Sequence, residues 1–221
     1  MSNASGQDKQ DKGRRRIIVK LLPYVRKNGF QSLRMDDAAK IMGVSRATLY
    51  KYFSTKEDLI AYVVEVMVQY IHEVMVSSDP DQMYAERFQQ IFEQSVLLLE
   101  SVTDLFLKGL EGSSPESAER LRSAMKHWER QVLEFYDEGI REGVFNPVNS
   151  HLIVLQDQLL QNLLDVKYLM EHHLTVYEAL FDYYRLKKFQ LFKPDKLHTV
   201  DDSRIIPRIE YIAQKITQNL Y

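Results

Sequence analysis

The sequence predicts an all-α fold in two parts, a three-helix N-terminal helix-turn-helix domain joined by a long helix to a C-terminal helical domain. Three observations predict it. Apolar residues recur at three- and four-residue spacing along most of the chain, and no useful stretch alternates with the two-residue period of a half-buried strand. The helix breaks are marked by Gly, Pro, Asn and Ser. Charge is also divided sharply along the length: from Lys9 to Lys56 thirteen Lys or Arg meet only three acids, Asp11, Asp36 and Asp37, whereas from Glu57 onward sixteen basic residues meet twenty-seven acids. A net charge of -2 therefore hides a basic head and an acidic remainder with different tasks. The divisions expected are a flexible N-terminal arm at 1–13, the helix-turn-helix domain at 14–56 and a second helical domain at 57–221.

Composition narrows the class. Hydrophobic residues at 45% and charged residues at 27% suit a globular chain and disfavour disorder or membrane embedding. No apolar run approaches the roughly 20 residues that span a bilayer, and "MSNASGQDKQDKGRRR" contains no apolar signal-peptide core, so a cytoplasmic location is expected. The chain has no cysteine, which excludes disulfides, thiolate chemistry and Cys-rich zinc modules.

Taken in order, the first helix is read from Ile17, Ile18, Leu21, Leu22 and Val25 and ends at Asn28-Gly29. Pro23 lies inside it and cannot donate to the carbonyl of Val19, so a kink or a late start is expected there. The second helix is Met35 to Met42, closed by Gly43; Arg34 before it is no capping residue, so either Ser32 caps instead or that helix end is less well fixed. A long helix follows from Lys56 through Leu59, Val63, Val66, Met67, Tyr70, Ile71 and Val74 to a break at "SSDPD", Ser77 to Asp81. "EGSSPE", Glu111 to Glu116, reads as a loop, and Pro115 as the first turn of a long helix closed by "REGVFNPVNS", Arg141 to Ser150. Two further long helices are expected at about His151 to Glu171 and Thr175 to Phe192, then a polar linker and a last amphipathic helix from about Ser203 to Leu220.

The chemistry concentrates in "GVSRATLYKYFSTKEDL", Gly43 to Leu59. Gly43 supplies a tight turn, Val44 fills the corner, and Ser45 can cap the third helix through the amide of Ala47 or Thr48. On a helical wheel Leu49 and Phe53 point one way and Ala47, Thr48 and Lys51 the other. An alanine allows the backbone close to a groove floor, the Ala47 and Thr48 methyls suit a thymine methyl, and Lys51 can donate to guanine O6 or N7. Tyr50 and Tyr52 flank that face, where their hydroxyls would meet the phosphate walls. Arg46 reaches a base or a phosphate, and Lys56 with the first amides of the long helix suits one phosphate. The expected DNA-binding set is Ser45, Arg46, Ala47, Thr48, Tyr50, Lys51, Tyr52 and Lys56. Lys12 to Arg16, "KGRRR", reads as an arm adding phosphate contacts; it lacks the amphipathic helix a membrane-surface binder would need.

The segment "NGFQSLRMDDAAKIMGVSRATLYKYFSTKEDLI", Asn28 to Ile60, resembles the N-terminal DNA-binding domain of TetR-family transcriptional regulators. Gly29, Phe30, Ala39, Gly43, Val44, Ser45, Thr48, Leu49, Tyr50, Tyr52, Phe53, Lys56, Leu59 and Ile60 sit where that family's pattern expects them; the remaining three-quarters of the chain matches in its helicity, its length and its "REGVF" break. The resemblance implies a double-stranded DNA operator as partner, a homodimer formed by C-terminal helices, and a pocket for a small-molecule inducer. The residues add weaker support. Leu152, Leu155, Leu159, Leu160, Leu163, Leu164 and Val166, followed by Tyr177, Leu180, Phe181, Tyr184, Phe189 and Phe192, give the helices at about 151–171 and 175–192 more apolar surface than one neighbour covers. For the pocket, Phe88, Phe92, Phe106, Met125, Trp128, Phe135 and Tyr168 are candidates to line an apolar cavity suited to a hydrophobic or amphipathic compound.

The expected function is that of a sequence-specific transcriptional regulator, a repressor released from its operator by the inducer. The dimer would hold two recognition helices roughly 34–36 Å apart, one turn of DNA, and an inducer favouring another spacing would lower DNA affinity by linkage. The alternative is a regulator of the same fold controlled by a protein partner, without a small-molecule pocket. An enzyme is not expected. No G-x-S-x-G, Walker loop or H-E-x-x-H occurs, and the adjacent His172 and His173 beside Glu171 face different directions, so no catalytic residue, metal site or cofactor is assigned.

Overall fold

The computed structural model describes residues 11–76 and 83–220. Its helices are α1 (11–18), α2 (Leu22–Asn28), α3 (Met35–Met42), α4 (Arg46–Tyr52), α5 (Lys56–Val76), α6 (Tyr84–Ser101), α7 (Asp104–Ser113), α8 (Pro115–Arg141), α9 (Ser150–Asp157), α10 (Leu159–Leu163), α11 (Val166–Glu171), α12 (Val176–Leu191) and α13 (Ile206–Leu220). Among the described residues the extended structure amounts to one isolated antiparallel bridge, between Phe145 and Phe192. The chain divides into two compact units, 1–72 with 102–125, and 73–101 with 126–221. That division is not a single cut after Lys56, because α7 and the start of α8 pack with the N-terminal helices.

In the first unit the local rules of the sequence are visible one by one. Pro23 splits the expected first helix: α1 ends in tight turns, with Leu21 N–H donating to Ile18 O, and α2 begins with proline in its first turn, where no amide is needed. Residues 11–13 of the expected flexible arm are part of α1, while 1–10 lie outside the described residues. Arg34 is the N-cap of α3 without any side-chain bond, and Asp36 and Asp37 in the first turn face the positive end of the helix dipole. Gly43 closes α3 at φ 68° and ψ 38°, the left-handed conformation that a Cβ disfavours. Ile17, Ile18, Leu21, Val25, Phe30, Leu49 and Phe53 are buried. Phe30 meets Phe106 of α7 edge-on at 5.2 Å, and Thr103 caps α7 while its hydroxyl donates to Arg26 O at 2.9 Å.

The second unit is built around a cluster of rings. Phe88 and Phe92 of α6, Phe135 and Tyr136 of α8, Phe145, Tyr184 of α12 and Phe192 are all at most 2% exposed. Phe145 and Phe192 lie 4.9 Å apart edge-on, beside the backbone bonds that Asn146 and Lys193 make to Leu191 and Val144. α12 opens with a capping box, Thr175 and Glu178 bonding each other's backbone amides, and packs on α13.

Three expected boundaries change. The long helix at about His151 to Glu171 is three helices, α9, α10 and α11, because only Gln158 separates the first two and the Asp165 side chain caps the third through Tyr168 N–H. The loop expected at Glu111 to Glu116 is mostly helix: α7 continues to Ser113, leaving Ser114 alone between α7 and α8. The last helix starts at Ile206, three residues later than Ser203. The break expected at Ser77 to Asp81 lies outside the described residues.

Candidate nucleic-acid interface

α4 is held by both of its ends and by one buried face. At its start, Thr48 N–H donates to Ser45 Oγ at 3.1 Å, and the two hydroxyls lie 2.8 Å apart, so the Thr48 oxygen is turned toward its own helix cap. On the inner face Leu49 and Phe53 are fully buried. On the outer face Ser45, Arg46, Ala47, Tyr50 and Lys51 are exposed and Thr48 is half-buried. The wheel thus placed the apolar and polar sides of α4 where the packing puts them. Arg46 Nε lies 3.2 Å from Asp36 Oδ1, with its guanidinium 5.6 Å from the centre of the Tyr50 ring. Both partners of that ion pair are more than half exposed, so the pair is weak and Arg46 can exchange Asp36 for a phosphate.

The two tyrosines differ. Tyr50 is 40% exposed, as a groove-wall contact requires. Tyr52 is half-buried, and its hydroxyl lies so close to Gly13 that a Cβ there would come within 2.7 Å of it. Tyr52 is therefore packed against α1 rather than standing free beside the groove face. Lys56 opens α5 and donates to Gln31 O at 3.2 Å, which leaves its remaining protons for an anion. Thr55 and Asp58 cap α5 reciprocally at 3.1 and 3.2 Å. With Glu57 and Asp58 in the first turn, the dipole at this end is already partly met by carboxylates, so Lys56 carries more of any phosphate contact than the amides do.

A residue that the sequence reading placed among outward-facing arm cations is turned inward. Arg14 donates from Nε and Nη2 to the carbonyl of Tyr52, at 3.1 and 2.8 Å, and its guanidinium lies 5.0 and 4.9 Å from the ring centres of Phe53 and Tyr62. Tyr62 donates to Asp11 Oδ1 at 2.9 Å; burial, then that bond, pushes its hydroxyl up to about 12. Nothing in a run of basic residues distinguishes Arg14 from its neighbours, so no sequence signal would have found it.

A turn at Gly43, a capped short helix with an exposed small-and-basic face, and a lysine opening a long helix match the family model described as bacterial regulatory proteins, tetR family, over residues 25–63. In this segment the chain resembles the TetR family. An HTH-type transcriptional regulator of Bacillus subtilis (strain 168), YvaF, is 33% identical over 60 residues, which is 27% of this chain and 31% of that protein. The chain thus matches less than a third of that curated relative's length. Solved structures extend the likeness in fold. A transcriptional regulator from Saccharomonospora viridis in complex with choline matches with a TM-score of 0.59 at 18% identity, covering 83% of this chain and 99% of that one. The TetR family protein CprB from S. coelicolor A3(2) gives 0.59 at 13% identity, over 93% and 98%. FadR from Bacillus subtilis, in complex with stearoyl-CoA, gives 0.53 at 17%, over 80% and 96%.

The effector residues expected from the sequence are not brought together. Phe88, Phe92 and Phe135 fill the second unit's ring cluster, where Phe88 stacks on Tyr184 at 5.6 Å. Phe106 and Met125 belong to the first unit, and Phe106 is spoken for by Phe30. Tyr168 is at the surface on α11, its ring 4.3 Å from His172. What the second unit does contain is a groove of about 250 Å³ lined by Arg87, Ile91 and Gln94 of α6 and by Trp128, Val132, Phe135 and other residues of α8, including Glu134 and Glu138. Trp128 and Phe135 are the two expected residues that reach it. Arg87 lies 4.8 Å over the Phe135 ring and 3.3 Å from Glu138, with its Nε buried and without a hydrogen-bond partner. The lining residues repeat at helical spacing on both helices, 87, 91 and 94 against 128, 131 or 132, 135 and 138, a signal that attention to aromatics alone passed over for all but Trp128 and Phe135. Among the described residues no group of three or more His, Asp or Glu is placed to hold a metal ion, and no helix is long and apolar enough to cross a membrane.

Proposed function

We propose that this chain is a homodimeric, sequence-specific DNA-binding transcriptional regulator, a repressor released from its operator by a small hydrophobic or amphipathic effector. The observation that carries the reading is the exposed face of α4, Ala47, Tyr50 and Lys51, backed by the buried Leu49 and Phe53. A helix fixed from behind and offering a small residue, a lysine and flanking polar groups has the chemistry of major-groove readout. Arg46 and Lys56 supply phosphate contacts that set register, and the basic balance of the N-terminal residues supplies salt-dependent affinity.

Two features of the second unit support the remaining parts. Leu152, Leu155 and Leu159 are 52–55% exposed at spacings of three and four along α9 and α10, and Leu186 and Phe189 of α12 are 62% and 53% exposed. Apolar residues exposed in this way on α9, α10 and α12 suit a self-complementary interface with a second copy. The groove between α6 and α8 offers an effector a mixed lining, Ile91, Trp128 and Val132 beside Arg87, Gln94, Gln131, Glu134 and Glu138, which suits an amphipathic compound better than a purely hydrophobic one. An effector that binds one conformation better than the DNA-bound one lowers operator affinity by its preference ratio.

Selection of bound fragments from genomic DNA, followed by titration of the enriched duplex at several salt concentrations, tests the reading. Enrichment of a sequence with two related half-sites about one helical turn apart is expected, with affinity falling steeply as salt rises. Recovery of random fragments only would refute sequence-specific binding.

A further inference from the structure

We propose that Arg14 is a positioning residue for the recognition helix: it clamps the C-terminal end of α4 from α1 and so sets sequence discrimination without touching DNA. The inference rests on the reading of α4 as the DNA-contacting helix. Arg14 itself lies outside the 25–63 segment matched by the family model.

A helix leaves its last carbonyls without intrahelical donors, and a cation near that end meets the negative pole of the dipole. The Tyr52 carbonyl is such a group. Arg14 reaches it with two nitrogens, and the guanidinium carbon stands 5.0 and 4.9 Å from the ring centres of Phe53, the buried C-cap of α4, and Tyr62 on α5. The neighbours of Arg14 serve the same joint. Asp11 accepts from the Tyr62 hydroxyl, and Gly13 leaves the space that the Tyr52 hydroxyl occupies. Three residues of one helical turn therefore fix the axial position of α4, which carries Ala47 and Lys51. A planar fork with two donors performs this task and an ammonium does not, since lysine offers a single nitrogen and no flat surface to lie on a ring.

The geometry separates Arg14 from an ordinary phosphate contact. A phosphate-binding cation is largely replaced by lysine, acts equally on all sequences, and contributes about one counterion to the salt slope. A clamp is not replaced by lysine, acts on the preferred sequence, and leaves the slope unchanged.

The test compares full-length wild type with Arg14→Lys and Arg14→Ala on two duplexes of equal length, one enriched from genomic DNA by the wild type and one of random sequence, each titrated over a range of salt. Both variants are expected to lose about tenfold or more in affinity for the enriched duplex, with random-duplex affinity and salt slope retained. Amide hydrogen exchange on Arg14→Lys is expected to accelerate in the last turn of α4, residues 49–53, with the rest of the chain as protected as in wild type. If Arg14→Ala does not fold, Arg14→Lys and its exchange pattern carry the comparison. Lysine restoring wild-type affinity, or a loss shared equally by both duplexes with a slope lower by about one, overturns the clamp in favour of a phosphate contact. Wild type showing no preference for any duplex overturns the DNA-binding reading and the clamp together.

Discussion

Lys187 Nζ lies 2.5 Å from Asp157 Oδ1 in the interior of the second unit, and the two side chains are 1% and 8% exposed. Tyr183 donates to the same carboxylate at 3.0 Å and Ser95 to its other oxygen at 3.2 Å, while the ammonium stands 5.4 Å from the centre of the Tyr136 ring. Desolvation lowers the Lys187 pKa, and Asp157 opposes that shift. Such a pair ties the end of α9 to α12 in one register, and its removal from one side leaves a charge with no counterion. Lys187→Met is therefore expected to cost about 3 kcal/mol, near the low end for a broken buried pair because two hydroxyls still hold Asp157. Adding Asp157→Asn removes the stranded charge and is expected to restore at least about 1 kcal/mol of that loss. Urea unfolding of both variants measures this, and a double variant less stable than the single one would contradict it.

Under the proposed function, Lys51 and Lys56 are expected to divide the work of DNA binding between them. Lys51→Ala is expected to weaken the preferred operator by roughly 1–3 kcal/mol and to relax discrimination at the base it meets, with little change on random DNA. Lys56→Ala is expected to weaken all duplexes alike and to lower the salt slope by about one. Competition titrations at three salt concentrations distinguish the two, and identical behaviour of the variants would refute the division.

Gly139 lies in the last turns of α8 with the Phe145 ring laid directly on it, so that an added Cβ would overlap ring atoms. Phe145 cannot move away cheaply, because Tyr84, Phe135, Tyr136 and Phe192 surround it. Gly139→Ala gains about 1 kcal/mol of helix propensity and is expected to lose more than that to overpacking, for a net cost of about 1–2 kcal/mol. Thermal unfolding followed by circular dichroism is expected to show a midpoint lower by about 2–8 °C; an increase would mean the ring has room to give.

Alkaline pH acts on the buried and half-buried tyrosines. Burial is the leading cause that raises the hydroxyl pKa of Tyr62, Tyr84, Tyr136, Tyr183 and Tyr184, with Tyr62 at about 12. Above pH 10 the unfolded chain loses these protons while the folded chain keeps them, so the stability they contribute is full below pH 10 and is lost as pH rises toward their folded values. Lys187 works in the opposite sense, since its folded pKa is lowered and the unfolded chain holds that proton longer. Five tyrosines against one lysine give a net loss. Absorbance of tyrosinate is expected to rise in two phases, the second coinciding with loss of helical circular dichroism; a single phase preceding unfolding would contradict it.

The sequence by itself determined what local chemistry determines. Pro23 interrupts the first helix because a missing amide cannot close a turn, Gly43 takes the left-handed turn because it lacks a Cβ, and Ser45 caps α4 because its oxygen reaches an amide three residues on. The two faces of α4 followed from helical periodicity, since Leu49 and Phe53 share one side. Other decisions belonged to the tertiary structure, because they depend on which surfaces meet. Arg14 is one basic residue among several until α1 lies across the end of α4, and Phe106 is one aromatic among several until Phe30 covers it. The commitment of Tyr52 to Gly13 and the groove between α6 and α8 likewise arise from packing between elements distant in the chain, which periodicity within one element does not encode.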